Sequence, residues 1–157
     1  MSNGKQLRYG IIKGECSSTK IPMNVGASEV IPAGGAFVKT DGSGRLEVAG
    51  DGSTLLAGFL ETEAQTASAV EGFTVGNFYP AGGALCLVVR LPITGGTFVA
   101  AMRGKTADLE VVAGVQSVQL DASAEDTVIV VDGDLVDNAW VDVMINVDKI
   151  ASLTGVV

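Results

Sequence analysis

Near the end of the chain stands the stretch Ala139-Trp140-Val141-Asp142-Val143-Met144-Ile145-Asn146-Val147-Asp148, in which side-chain character alternates with a period of two. Every odd position is apolar, whereas the even positions mix Trp140 and Met144 with carboxylates and an amide. Because successive side chains of a β-strand point to opposite faces, this pattern predicts a strand with one core-facing side. The other side, with Trp140 and Met144, is predicted either to meet a subunit or shell or to be covered by the chain's own loops.

Similar short runs rich in Val, Leu, Ile and Thr recur along the chain, separated by Gly, Asp, Asn and Ser. This rhythm is typical of an all-β domain, and we predict a compact antiparallel β-barrel or β-sandwich. The turn Asp41-Gly42-Ser43-Gly44 predicts a hairpin, since glycine tolerates the positive φ of tight turns. Glu61–Val70 is predicted to be a loop or one short helix. The predicted strands are Leu7–Ile12, Ala36–Thr40, Arg45–Ala49, Thr54–Glu61, Ala84–Leu91, Thr97–Met102, Asp108–Ala113, Val115–Asp121, Thr127–Val131 and Ala139–Val147.

Two of these segments, Thr54–Leu60 and Ala84–Val89, are apolar on both faces. A strand of this kind is either central and covered on both sides, or its outer face meets another subunit. We favour the second arrangement and therefore predict a homo-oligomer, a dimer or a trimer. The residues predicted to lie at an interface with another copy or with a shell are Phe59, Val88, Trp140 and Met144.

The first 28 residues are predicted to form an extended N-terminal arm, followed by a β-barrel or β-sandwich domain over residues 29–157. The arm begins with a basic segment in which apolar and basic side chains alternate, so it could add as a strand to a partner's sheet edge. The alternative is that Leu7–Ile12 is the first strand of the domain's own sheet. The residues predicted to bind the partner are Lys5, Leu7, Arg8, Tyr9, Ile11 and Lys13.

Composition and charge narrow the class of function. The chain has 157 residues, of which 47% are apolar and 18% charged, and its mean hydropathy of +0.40 excludes a disordered chain. A formal net charge of −8 argues against a nucleic-acid partner, which would require clustered Lys and Arg. Histidine, the commonest general base and metal ligand, does not occur in the sequence, so we do not expect an enzyme. Most of the acidic residues follow Thr106; they either keep an apolar β protein soluble or give the two ends of the chain different partners.

Recognisable chemical motifs are missing from the sequence. No stretch matches a nucleophile elbow, a phosphate-binding loop or a metalloprotease helix, so no catalytic residue, cofactor or metal is predicted. The acidic stretch Asp132–Asn138 lacks the spacing and the closing Glu of a calcium loop. Cys16 and Cys86 form no CxxC pair, and Cys86 is predicted to be a buried thiol in an apolar strand. With neither a signal peptide nor a long apolar run, the protein is expected to be made in the cytoplasm without a membrane partner.

Glycine-turn and strand patterns over residues 28–147 resemble a known family. They include Val30-Ile31-Pro32-Ala33-Gly34-Gly35-Ala36-Phe37-Val38, Leu56-Ala57-Gly58-Phe59-Leu60-Glu61, Gly104–Leu109, Val118–Ser123 and Trp140-Val141-Asp142-Val143. In these features the chain is similar to the small capsid decoration (cement) proteins of tailed bacteriophages. The resemblance implies a compact β protein that oligomerises on the outside of the virion, binds the major capsid protein and stabilises the head. The alternative is a carbohydrate- or receptor-binding β module of a phage tail or a bacterial surface, which clustered exposed aromatics would favour.

Overall fold

A computed structural model describes residues 9–14 and 20–151 of the chain, and these residues form an all-β fold, as the sequence predicts. The only α-helix in these ranges is the single turn α1 (Ala81–Ala84), and short 3₁₀ turns occur at Ala100–Met102 and Val147–Lys149. The strands are β1 (Gly10–Lys13), β2 (Ile21–Asn24), β3 (Val30–Ile31), β4 (Ala36–Thr40), β5 (Leu46–Val48), β6 (Gly58–Leu60), β7 (Gln65–Thr66), β8 (Val75–Pro80), β9 (Val88–Gly95), β10 (Thr106–Val112), β11 (Val115–Gln119), β12 (Val128–Gly133) and β13 (Trp140–Ile145).

The larger sheet curls back on itself. Its strand order is β1-β9-β11-β10-β12-β13, and β13 also pairs with β9, so the pairings return to a strand already in the sheet. The register of this closing pair places Val143 opposite Val89 and Val141 opposite Leu91. All pairs are antiparallel except β9 with β11. The sheet is therefore barrel-like, with the alternating strand of the sequence at its seam.

The second sheet is curled as well. Its strands follow the order β2-β8-β6-β4-β5 in antiparallel pairs, and a bridge from Val25 to Leu46 links the end of β2 to β5. The hairpin predicted at residues 41–44 is confirmed, because β4 and β5 pair with Lys39 opposite Glu47. The strands β3 and β7 form a separate two-stranded antiparallel sheet, in which Val30 lies opposite Thr66.

The core is divided between two apolar clusters, and the strands β4 and β6 serve both. Phe37 and Phe59 point into the larger cluster, where their rings meet edge to face at 5.2 Å. Neighbouring residues in the same two strands, Val38 and Leu60, point into the smaller cluster inside the second sheet. Phe59 is 0% exposed, so its assignment to a subunit interface is wrong. The stretch Leu56–Leu60 is apolar on both faces because it lies between two cores of the same chain, whereas Leu55 before it is exposed.

A buried glutamine joins the two sheets. Gln116 of β11 is 1% exposed, and its Oε1 accepts a hydrogen bond from the backbone N–H of Phe37 at 2.9 Å. Its Nε2 donates to the carbonyls of Phe37 at 2.9 Å and of Ala49 at 2.7 Å. Buried polar groups are tolerated when they are hydrogen-bonded, and here one side chain satisfies that condition by crossing between sheets.

Several elements differ from the sequence prediction. Val75–Pro80 forms β8 although its Gly76, Asn77 and Pro80 argue against a strand. Thr97–Met102 forms no strand, since the ring of Phe98 lies against Gly133 and the chain turns at Ala100–Met102. The predicted strand from Ala84 begins only at Val88, because Ala84 ends α1. Within Glu61–Val70 the loop prediction holds, with β7 as its only regular element and no helix in this described segment.

The described parts of the first 28 residues belong to the two sheets. Gly10–Lys13 pairs with β9, and Ile21–Asn24 pairs with β8. Ile11, opposite Val89, packs against the larger core. In these described residues the structure therefore shows the alternative, in which the segment belongs to the domain's own sheet.

Candidate interaction surface

The outer face of β9 and β13 brings together Val88, Trp140 and Met144, three of the four residues predicted to lie at an interface with another copy or a shell. On β13 the side chains of Val141, Val143 and Ile145 are buried, as the alternation predicts. Trp140, Asp142 and Met144 therefore lie on the opposite face. The register places Arg90 opposite Asp142, and Val88 follows on the same side of β9. We call Val88, Arg90, Trp140, Asp142 and Met144 the Trp140 face.

An ion pair stacked on the indole organises this face. The guanidinium carbon of Arg90 lies 3.7 Å from the centroid of the Trp140 ring, a distance typical of a cation–π contact. The same guanidinium donates two hydrogen bonds to the Asp142 carboxylate, at 2.7 and 2.9 Å. These bonds raise the pKa of Arg90, and Asp142 is 5% exposed. The two-point salt bridge thus holds the Arg90 guanidinium in place against the Trp140 ring.

A second arginine pairs with a carboxylate on the neighbouring strand β12. Asp132 of β12 lies directly opposite Asp142, a like-charge pair that alone would destabilise the sheet. Arg103 donates to Asp132 at 2.8 and 3.0 Å and lowers the pKa of that carboxyl. Each carboxylate of the pair therefore has its own guanidinium.

Chemically, the Trp140 face is suited to binding a protein. Met144 lies opposite Ile129 of β12, and Val88, Trp140 and Met144 are each partly buried. Trp, Met and Arg are the residue types enriched in the centres of protein interfaces. A rigid aromatic side chain also loses little conformational entropy when it is covered.

The sequence identifies only part of this face. Strand periodicity predicts Trp140 and Met144, and the apolar character of Ala84–Val89 predicts Val88. The structure brings the three onto one surface. Arg90 was missed because its role depends on the β9–β13 register, which the sequence does not show. The predicted site residues Lys5, Leu7 and Arg8 lie outside the described residues, as does Cys16.

The remaining residues of the predicted N-terminal site are divided between core and surface. Ile11 packs against the larger core, whereas Lys13 is exposed. Tyr9 is partly buried, and that burial raises its pKa.

Cys86, predicted to be buried, is exposed, and its Sγ donates to the carbonyl of Gly83 at 3.1 Å. The chain turns through α1 at this point, so Cys86 precedes β9 instead of lying inside it.

Several carboxylates of the acidic C-terminal third hold loops in place. Asp134 accepts hydrogen bonds from the N–H groups of Val136, Asp137 and Ala139, which lower its pKa. Asn138 joins the same turn to Phe98 and Gly96 through its amide. Within the ranges that the structure describes, no cluster of three or more His, Cys, Asp and Glu residues could hold a metal ion.

Asp108 is the most buried of these loop-holding carboxylates, and its replacement by Asn is expected to destabilise the fold. It is 1% exposed and accepts hydrogen bonds from the N–H groups of Ala124, Glu125 and Asp126 at 2.7–3.1 Å. Burial alone would raise the pKa of Asp108, but these hydrogen bonds hold it below the ordinary value. We expect Asp108→Asn to lower the free energy of unfolding at pH 7 by about 3 kcal/mol, measured by urea denaturation.

The destabilisation caused by Asp108→Asn is expected to depend on pH. A carboxyl whose pKa is depressed by folding stabilises the protein above its unfolded pKa of about 3.9 and loses that contribution as pH falls through the folded value. The difference between wild type and Asp108→Asn should therefore shrink below about pH 4. Asp134→Asn makes the same change at a carboxylate that also accepts from three N–H groups but lies in an exposed turn, so it is the matched control and should have a smaller effect. Equal effects of the two substitutions would contradict a special role for the buried carboxylate.

Comparison of the chain with family models, with curated protein sequences and with solved structures finds no match in any of the three. Among the residues that the structure describes, no helix has the length and apolar character needed to cross a membrane.

Proposed function

We propose that the chain is a structural virion protein, a capsid decoration or cement protein that binds the outer surface of a bacteriophage shell and stabilises the head. The observation that carries this proposal is the Trp140 face, an apolar and preorganised surface on a rigid β scaffold. Its partner is the major capsid protein, and the chain acts without catalysis. The glycine-turn and strand patterns that resemble the decoration proteins support the same assignment.

The scaffold suits a protein that resists mechanical load. The strands β4 and β6 of the second sheet contribute side chains to both apolar cores, and the hydrogen bonds of Gln116 join the larger sheet to the second one. A protein that clamps a shell must transmit force between its contacts without opening. Interiors packed at crystal-like density are poorly compressible, which supports this role.

Self-association remains part of the proposal, but the residues that support it differ from those that the sequence indicates. The apolar character of Leu56–Leu60 is explained by the two cores of one chain, so this stretch no longer indicates an interface. The partly exposed Val88, Trp140 and Met144 are available either to a neighbouring copy or to the shell. Light scattering on the purified protein at tens of micromolar distinguishes a monomer from the dimer or trimer.

Trp140→Ala is expected to weaken binding to the shell at least ten-fold, because an aromatic side chain at an interface centre contributes about 2 kcal/mol or more. Binding is measured by co-sedimentation with expanded heads of the phage that encodes the chain, grown with its gene deleted. Trp140 is the only tryptophan of the chain, so its fluorescence in the wild type reports burial on docking directly.

Two controls separate docking from folding. Trp140→Phe keeps an aromatic ring above Arg90 and should retain most of the binding. Leu55→Ala removes an apolar side chain that is 46% exposed and lies elsewhere, and should bind as the wild type does. If Trp140→Ala binds heads normally, the Trp140 face is not the docking surface. If the wild type does not bind heads but binds bacterial-surface glycans, the chain is instead the carbohydrate-binding β module named above as the alternative.

A further inference from the structure

A loop of the second sheet exposes an apolar surface that none of residues 9–14 and 20–151 covers. Val70 is 64% exposed, Phe73 76% and Val75 53%. Single exposed apolar residues are common on proteins, but three in one short loop, including a nearly bare aromatic ring, call for an explanation. We call Val70, Phe73 and Val75 the apolar tip.

The backbone geometry places the three side chains together. The N–H of Phe73 donates to the carbonyl of Val70 at 3.3 Å, closing a turn in which Gly72 has φ of +72°. The ends of such a turn are within about 7 Å of each other. The Oγ1 of Thr74 accepts from the N–H of Ser68 at 2.9 Å and so points into the loop. Phe73 and Val75, its neighbours in an extended segment, therefore point the other way.

The loop is ordered although its side chains are exposed. Ser68 Oγ accepts from the N–H of Val70 at 3.1 Å, and Ser68 O accepts from the N–H of Ser28 at 2.9 Å. The Thr74 carbonyl accepts from the N–H of Val25 at 2.8 Å. Because the loop is already fixed, covering the tip would cost little additional ordering entropy. This is the property of a preformed binding surface.

The charges around the tip select the partner. Glu71, within the turn, pairs with Arg45, and Arg45 pairs also with Asp41, so this group has an excess of one negative charge. A second copy is a poorer source of balancing cations, since five of its ten basic side chains already form ion pairs within the chain: Lys20, Lys39, Arg45, Arg90 and Arg103. An apolar pocket bordered by Lys or Arg fits the tip better.

We propose that the apolar tip is a second docking surface, which inserts Phe73 into an apolar, basic-rimmed pocket of the shell protein. This inference rests on the proposed function and adds to it the second contact that a clamp requires. The tip belongs to the second sheet, whereas the Trp140 face belongs to the larger one. One chain would thus hold its target through both of its sheets.

The test compares Phe73→Ser with Val147→Ser in co-sedimentation with heads that lack the chain. Both substitutions remove a well-exposed apolar side chain, so both variants should fold normally, as circular dichroism would check. Phe73→Ser is expected to weaken binding at least ten-fold, while Val147→Ser binds as wild type. Glu71→Gln should weaken binding about three-fold at 50 mM salt and have less effect at 500 mM salt, because salt screens charges at an interface rim.

The outcomes separate this inference from the function itself. If wild-type protein does not bind heads, the proposed function fails. If the wild type binds heads and Phe73→Ser binds equally well, the docking role of the tip is overturned. If Phe73→Ser instead dissociates a homo-oligomer but each subunit still binds heads with wild-type affinity, the tip is a contact between copies and the proposed partner is wrong. If Glu71→Gln leaves binding unchanged at low salt, the basic rim is overturned.

Discussion

Gln116→Leu is expected to lower the free energy of unfolding by about 4 kcal/mol, because it removes the partners of buried groups that water cannot reach. The substitution leaves the N–H of Phe37 and the carbonyl of Ala49 without the hydrogen bonds that Gln116 supplies. An unpaired buried donor or acceptor costs about 1–3 kcal/mol, and leucine, although similar in volume, offsets only part of that cost. For a domain of this size the thermal midpoint should fall by about 10 °C.

Gln119→Leu is the matched control, since it makes the same chemical change on the same strand at a partly exposed position. It should change stability by less than about 0.5 kcal/mol. Urea denaturation, followed by far-UV circular dichroism, measures both variants. Equal stabilities of Gln116→Leu and wild type would show that the two sheets do not depend on this amide. Loss of the joint should also weaken binding that uses both sheets, because the Trp140 face and the apolar tip would no longer be held rigidly.

The sequence predicts the fold class because side-chain periodicity is a local property. The alternation in Ala139–Val147 identifies β13 and its core side, and the glycine-rich turn at residues 41–44 identifies the hairpin. β8 escapes prediction because its Gly76 and Pro80 are unfavourable in strands in general. Here glycine suits position 76, since a Cβ there would lie 3.1 Å from side-chain atoms of Leu60 and Val25, closer than an ordinary contact. Such a close approach belongs to the assembled sheet and not to the segment.

The candidate surfaces are predictable to the same limited extent. Trp140 and Met144 share a strand face, which a period of two reveals. The stacking of Arg90 on Trp140 depends on register between strands about fifty residues apart, as does the pairing of Arg90 with Asp142. The apolar tip is not predictable from the sequence for a different reason. Its residues show no periodicity, and their significance comes from exposure, which only the folded chain defines.

Gly35→Ala is expected to destabilise the protein by about 4 kcal/mol or more, close to the whole stability of an ordinary domain. Gly35 has φ of +95°, a conformation that costs a residue with a Cβ about 1–2 kcal/mol. The added Cβ would also lie 2.0 Å from the carbonyl oxygen of Leu60 and 2.8 Å from the Cα of Glu61. Both are backbone atoms, so no side-chain rotation relieves the clash.

The consequence extends to the centre of the second sheet. Gly35 directly precedes β4, whose first residue, Ala36, is paired with Leu60 of β6. Moving the carbonyl of Leu60 away would open this pair, and with it the strands that carry Phe37 and Phe59 into the larger core. Gly35→Ala should therefore be recovered largely insoluble, or with a urea midpoint far below that of the wild type.

Gly44→Ala is the control that separates the cost of a positive φ from the cost of a steric clash at the added Cβ. Gly44 also has a positive φ, +77°, but a Cβ there would meet nothing within 4 Å. Its replacement should cost only the conformational term, about 1 kcal/mol. If Gly35→Ala proves as stable and soluble as Gly44→Ala, the close approach of the residue 32–35 turn to β6 is not a fixed feature of the fold. If Gly35→Ala alone collapses, the glycine at this turn is what allows the strand shared by the two cores to enter the sheet.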